Sequence, residues 1–288
     1  MSETTTGRGG CKGRVGTGGG SGSGRKTSHG AGTRAALLKV MLGCALSGAC
    51  ATKAAAPMPA RTAATPEIHS IAAGTGTNAF LVMGERPILV DTGWGGRTDN
   101  IEEGLAELGV DPHRLALIVL THGHGDHAGG AARMRALSGA KVLAHRADLA
   151  MLQAGKDTPL RPMGMLGRMV RPTSDKVFPP VTPDILIDGE VDLRPYGIDG
   201  RVVPVPGHTP GSIAVILADG DALVGDMLRG GIIMSHWPAR HFFHDNCPAA
   251  EAHIAALVQA GTKRFYVGHS GPIEAGDAVK YFTNYPCP

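Results

Sequence analysis

The chain has 288 residues, 42% hydrophobic and 4% aromatic, with a formal charge of +3. That is enough apolar residue to fill one large core, yet no uncharged apolar run reaches the ~18 residues of a membrane span, and the scarcity of aromatics argues against a base-stacking nucleic-acid binder. The charge is uneven: residues 1–61 carry nine Lys or Arg against Glu3 alone, while the remainder sums to −5.

Residues 1–51 read as a leader. Positions 1–32 are Gly, Ser, Thr and basic residues with little to bury, a composition that predicts disorder. The apolar run Val40–Ala51 follows, and positive charge, a dozen apolar residues and then small residues is the layout of a secretory signal. Ala49 and Ala51 suit ordinary cleavage, whereas Cys44 or Cys50 suits lipoprotein acylation, although Met41 and Ser47 stand where that signal expects leucine. The expectation is export to the periplasm or cell envelope, touching the membrane only through a lipid anchor. Residues 52–67 read as an Ala/Pro/Thr linker and 68–288 as the folded domain. Cys247 and Cys287 either pair, in an oxidising compartment, or remain two thiols.

Short apolar runs then alternate with helical stretches. Ala79–Met83 and Pro87–Val90 read as strands joined by a turn at Gly84-Glu85-Arg86. Ile101, Leu105 and Leu108 stand at helical spacing before Gly109. Leu115–Leu120 is a continuous apolar run of the kind expected of a strand covered on both faces. It stops at Thr121-His122-Gly123-His124-Gly125-Asp126-His127. The same grammar recurs: Val202–Gly207 leads into His208, Ala222–Gly225 into Asp226 after a hairpin turn at Asp219-Gly220-Asp221, and Phe265–Gly268 into His269. Strands of one layered sheet would gather these residues at one edge, where open α/β sheets place their sites. Imidazole and carboxylate are ligands for Zn²⁺ or Fe²⁺, and glycine before three of them permits close backbone approach. Ala249–Gln259 reads as a covering helix and Val279–Phe282 as part of a last one.

With these motifs the chain resembles the metallo-β-lactamase-fold metallo-hydrolase superfamily over about residues 68–280. The resemblance rests on Thr121–His127, Pro206–Ser212, Gly225-Asp226, Gly268-His269 and Asp91-Thr92-Gly93. It implies an α/β fold, a four-layer αβ/βα sandwich, with two metal ions at the edge of its sheets. His122, His124 and His208 would hold one ion, Asp126, His127 and His269 the other, and Asp226 would bridge them. Asp91 would support the ligand loop by hydrogen bonds. Two Zn²⁺ are the expected cofactor, with Fe or Mn as substitutes.

An aspartate bridge resembles thioesterases of the glyoxalase II type, lactonases and phosphodiesterases, whereas β-lactamases of this fold usually carry Cys or Ser there. Nuclease relatives have a basic face, which a −5 domain lacks. Gly207–Ser212 does not match the Gly-x-Ser-x-Gly of serine hydrolases. The expectation is a metal-dependent hydrolase of a small ester, thioester or lactone, with Asp126 a catalytic candidate as well as a ligand. The alternatives are a mononuclear-iron enzyme of the persulfide dioxygenase type and a non-catalytic metal-containing envelope protein. Residues 150–180, rich in Met and basic residues, read either as a lid accepting an acyl chain or as an amphipathic helix with a solvated basic face. Within Met227–Asn246, His236 is the preferred candidate for substrate contact or proton delivery, and Arg229, Trp237, Arg240, His241 and His244 read as surface residues.

Overall fold

The computed structural model describes residues 65–74, 76–171 and 177–287. The leader expected at 1–51, and the linker up to residue 64, lie outside the described residues. The first sheet runs in spatial order β1 (Glu67–Ala72), β2 (Asn78–Met83), β3 (Ile88–Val90), β4 (Leu117–Val119), β5 (Lys141–His145) and β6 (Ile185–Ile187). β1–β3 form an antiparallel meander, and β3 to β6 run parallel. The parallel connections carry α1 (Thr98–Glu107), α2 (Gly125–Ala128), α3 (Ala131–Ser138), α4 (Leu149–Ala154) and α5 (Gly164–Val170).

The second sheet is built from β7 (Val191–Asp192), β8 (Gly200–Pro204), β9 (Ile213–Leu217) and β10 (Asp221–Leu223). A two-stranded ribbon of β11 (Arg229–Gly230) and β12 (Pro238–Ala239) follows, then α6 (Cys247–Gln259), β13 (Arg264–Tyr266), β14 (Ile273–Glu274) and α7 (Ala275–Asn284). β13 and β14 complete the second sheet, in the order β14-β13-β10-β9-β8-β7. β10 and β13 are parallel, and β8 points the same way because each is antiparallel to β9.

Successive strand residues face opposite sides of a sheet, and the core follows that alternation. Leu117 and Val119 of β4 pack between the sheets with Phe80, Val82, Ile213, Val215 and Leu223. Ile118 and Leu120 face the other way, onto Ile101 and Leu105 of α1 and Met134 of α3. On the far side Ala214 and Ile216 of β9 and Phe265 of β13 meet Ile254 and Leu257 of α6 and Phe282 of α7. The layers are therefore helix, sheet, sheet, helix, the sandwich expected. One detail differs. The ligand-bearing strands do not share a sheet: β4 belongs to the first, and β8, β10 and β13 to the second. A run covered on both faces is equally at home in either sheet of a sandwich, so apolarity alone could not separate them.

Cys247 and Cys287 are disulfide-bonded, tying the chain after α7 to the first turn of α6. Asn246 caps α6, its side-chain oxygen accepting from the Ala249 amide at 3.1 Å with Pro248 at the first turn. Among the described residues no helix is long and apolar enough to cross a membrane.

Candidate metal centre

Each strand end turns sharply to deliver its ligand. After β4, the Gly123 and Gly125 turns place His122 and His124 before α2, whose first turn carries Asp126 and His127. Gly268 is required by space: a Cβ there would run into Asp226 Oδ1 and the His127 ring. Gly225 has φ +53, a left-handed conformation in which an L side chain is strained.

The structure brings together all seven residues predicted as ligands. His122, His124 and His208 form one set with ligand-type atoms within 4.8 Å of one another, and Asp126, His127, Asp226 and His269 form a second. Asp226 lies between the sets: Oδ1 is 3.3 Å from His127 Nε2, and Oδ2 is 3.3 Å from His269 Nε2, 3.6 Å from His208 Nε2 and 4.0 Å from His122 Nε2. His269 Nε2 is also 3.4 Å from Asp126 Oδ2, and His124 Nδ1 is 3.0 Å from His208 Nε2.

The outer nitrogens of four rings are held by the protein. His127 Nδ1 meets Asp91 Oδ2 at 2.8 Å, His208 Nδ1 the Phe243 carbonyl at 2.8 Å, His269 Nδ1 the Gly76 carbonyl at 2.8 Å, and His122 Nδ1 the Thr121 hydroxyl at 3.1 Å. Asp91 also accepts from the Thr121 amide and hydroxyl, both at 2.8 Å. It does so at φ +63, a conformation that Asp tolerates better than most residues. The expected supporting role of Asp91 is thus a set of three hydrogen bonds. Such contacts fix ring orientation and tautomer at metal sites.

A second buried carboxylate does comparable work and was missed in the sequence. Asp148 accepts from the Gly123 amide (2.8 Å), the Thr209 hydroxyl (2.8 Å) and the Gly211 amide (2.9 Å), joining the His122–His127 turn to the His208 turn. Burial pushes its carboxyl upward, against those hydrogen bonds. Asp148 stands more than twenty residues from either motif, so no spacing marks it.

Electrostatics divide the imidazoles into two kinds. Burial and neighbouring imidazoles hold His122 and His208 well below the ordinary value. Burial acts downward on His127 and His269 too, but there the carboxylates win: Asp226, Asp91 and Asp126 hold His127 well above it, and Asp226 and Asp126 push His269 up to about 10. Burial would raise Asp226, yet His241, His269 and His127 keep it well below the usual carboxylate range. Three buried atoms aimed at the centre, His122 Nε2, His127 Nε2 and Asp226 Oδ1, have no hydrogen-bond partner among the described residues. Leaving such atoms bare costs about 1–3 kcal/mol each. Divalent cations held by the two sets would satisfy all three, so this His/Asp cluster fits metal ions.

The segment after Asp226 departs from expectation. His236 is exposed in the turn between β11 and β12 and does not line the cavity at the centre. His241 and His244, expected at the surface, are buried instead. His241 Nε2 is 3.2 Å from Asp226 Oδ2, and burial brings its pKa down to about 4. The reason is that β12 turns the chain back towards the site, so His241, two residues past it, reaches the ligands and the ribbon tip does not. The flanking Phe242 and Phe243 were the one signal in the sequence.

Residues 150–180 match each expectation in part: Arg161, Arg168 and Arg171 are solvated while Met151 and Leu152 pack, and other residues of the segment reach the cavity. In α5, Met165 and Met169 are exposed and are not among the residues that line the cavity, whereas Leu160, Val177 and Phe178 line it. The cavity, about 580 Å³, has a polar floor of His124, Asp126, Asp226, His241 and His269 and an apolar wall that includes Trp94, Phe242 and Phe243.

The sequence profile of the metallo-beta-lactamase superfamily matches residues 72–269. Hydroxyacylglutathione hydrolase of Anaeromyxobacter dehalogenans is 30% identical over 149 residues, covering 52% of this chain and 44% of that one. The probable metallo-hydrolase YqgX of Bacillus subtilis is 32% identical over 157 residues, covering 53% of this chain and 66% of that one. The chain therefore spans about half to two-thirds of the length of these curated relatives. Among solved structures, BJP-1, a subclass B3 metallo-beta-lactamase of Bradyrhizobium japonicum, superposes with a TM-score of 0.54 at 22% identity, covering 76% of this chain and 88% of that one. At that identity the likeness is one of fold.

Proposed function

This chain belongs to the metallo-beta-lactamase superfamily, and on that premise we propose that it is a dinuclear zinc hydrolase of a small ester, thioester or lactone. The observation that carries the reading is Asp226, whose two carboxylate oxygens face imidazoles of both ligand sets. His122, His124 and His208 would hold one ion, Asp126, His127 and His269 the other, and Asp226 would be shared. Bound zinc supplies acidified water at neutral pH and polarises a carbonyl oxygen.

The chain's own residues do the rest. Asp126 lines the cavity, and its carboxylate oxygen orients an attacking water by accepting one of its hydrogens. Asp91 and the Phe243 carbonyl keep His127 and His208 in one tautomer. Trp94, Leu160, Phe178 and Phe242 exclude bulk water and receive an apolar acyl group. The thioester option draws support from the 30% identical hydroxyacylglutathione hydrolase of Anaeromyxobacter dehalogenans. Export of the mature enzyme to the periplasm or cell envelope, read from residues 1–51, is supported by the Cys247–Cys287 disulfide, since disulfides persist in oxidising compartments.

The test is metal analysis followed by a panel of esters, thioesters, lactones and a β-lactam on zinc-loaded protein. The expected result is close to two ions per chain, turnover of an acyl substrate, and loss of at least ~10³-fold activity in Asp226→Ala with unchanged circular dichroism. Metal-loaded protein inert on the whole panel, or iron-dependent oxygen consumption with a persulfide, would overturn it.

A further inference from the structure

We propose that His241 is an additional protein ligand of this centre, joining His208 and Asp226 from the cavity side. The inference rests on the metal-centre reading above and adds a residue that neither the motifs nor the spacing of the seven ligands includes.

The geometry is that of a ligand. His208, Asp226 and His241 present three ligand-type atoms within 4.8 Å of one another, and all three residues are buried. Two neighbouring ligands ~2.1 Å from one zinc stand ~3.0–3.4 Å apart across the angles of five- and four-coordinate centres. The His241–Asp226 edge, 3.2 Å, falls in that span, and the His208–Asp226 edge, 3.6 Å, lies just beyond it. His241 comes nearer to Asp226 than His208 or His122 does.

The ring is also aimed as the ligand rings are. One carbonyl oxygen, that of Phe243, serves both imidazoles, meeting His208 Nδ1 at 2.8 Å and His241 Nδ1 at 3.2 Å. The Phe243 amide stands 3.3 Å from the same Nδ1. With hydrogen on Nδ1 the ring donates to the carbonyl and leaves the Nε2 lone pair facing Asp226, the tautomer that ligation requires. On its other side His241 stacks on His269 at 5.4 Å with an interplanar angle of 17°. The segment is fixed: the Met163 amide donates to the Phe242 carbonyl at 2.7 Å, and the Asp245 amide donates to the His208 carbonyl at 3.1 Å. The imidazole and the His208 turn are thus one unit. As a ligand, His241 would take a coordination position that the seven motif residues leave to solvent, which narrows where substrate enters.

Cobalt substitution of the full chain tests this without recourse to activity. In the wild type, six paramagnetically shifted imidazole N–H resonances are expected, and five would count against His241. His241→Gln should change the intensity and position of the visible cobalt bands and weaken retention of one ion by at least ~10-fold in chelator competition. His241→Cys should add a thiolate-to-cobalt charge-transfer band in the near ultraviolet that the wild type lacks. Five resonances, an unchanged visible spectrum in His241→Gln and no new band in His241→Cys would overturn the proposal. A wild type that takes up no cobalt at all would instead overturn the metal-centre reading beneath it.

Discussion

Asp91 and His127 meet at 2.8 Å, carboxylate Oδ2 against ring Nδ1, with both side chains wholly buried. The carboxylate stands on a left-handed backbone, φ +63, and accepts two further hydrogen bonds from Thr121. Asp91→Ala leaves the Thr121 amide and the imidazole unpaired. It should weaken zinc binding by about 10–100-fold and destabilise the fold by about 2–4 kcal/mol. Asp91→Asn tolerates the same φ and keeps one acceptor, so it should fall between. Chelator competition and urea titration of the two variants check the order.

Gly268 and Gly276 predict opposite responses to one methyl group. At Gly268 the added Cβ meets Asp226 Oδ1 and the His127 ring, which Asp91 holds from behind. Gly268→Ala should therefore lose bound metal and at least ~10-fold in activity. At Gly276, in α7, the Cβ meets nothing within 4 Å. Gly276→Ala should leave metal content unchanged and raise stability by up to about 1 kcal/mol, through helix propensity. Equal losses in both variants would refute this account of Gly268.

In the metal-free protein the imidazoles set a stability maximum. His269, pushed up to about 10, and His127, also raised, hold protons that the unfolded chain releases near pH 6.5, so stability falls as pH rises from there towards 10. His122, His208 and His241 are lowered, so they must charge on unfolding below pH 6.5, and stability falls in that direction too. Urea midpoints of metal-free protein should peak near pH 6.5. Zinc must displace the protons of His127 and His269, so its affinity should rise with pH and about two protons should be released per chain at neutrality. Calorimetry in two buffers of different ionisation enthalpy counts them; zero would contradict the charge distribution described.

The Cys247–Cys287 bond closes a loop of 40 residues, for which chain entropy gives about 3–4 kcal/mol of stabilisation. Because Asn246, next to Cys247, donates its amide to the Gly207 carbonyl at 2.8 Å, the loss should be felt at His208. Cys287→Ser should lower the urea midpoint and speed zinc release. Unchanged release in a destabilised variant would confine the disulfide to stability.

The apolar strands and the seven His and Asp residues at their ends were legible because their signals are local, whereas the four-layer sandwich and the sorting of those residues into two sets came from the family resemblance. A strand covered on both faces is a run of apolar residues, as Leu115–Leu120 is, and a ligand turn needs its glycines next to its histidines, as at Gly207-His208 and Gly268-His269. His236 shows where locality fails. It was favoured for its nearness in sequence to Asp226, and the β11–β12 ribbon carries it away into solvent while returning His241 to the centre. Asp148 failed for the same reason. Its three hydrogen bonds join turns that meet only when the two sheets stack.

The split in charge at residue 61 belongs to the sequence alone, and so does the chemistry of imidazole and carboxylate at strand ends, since composition and nearest-neighbour spacing encode both. Tertiary structure decided which sheet each ligand strand joins, which carboxylates hold the ligand loops, that Cys247 and Cys287 pair, and which imidazole of the 227–246 segment faces Asp226. Each of these depends on contacts between residues far apart in the chain, and only the packed sandwich brings them within a few ångströms.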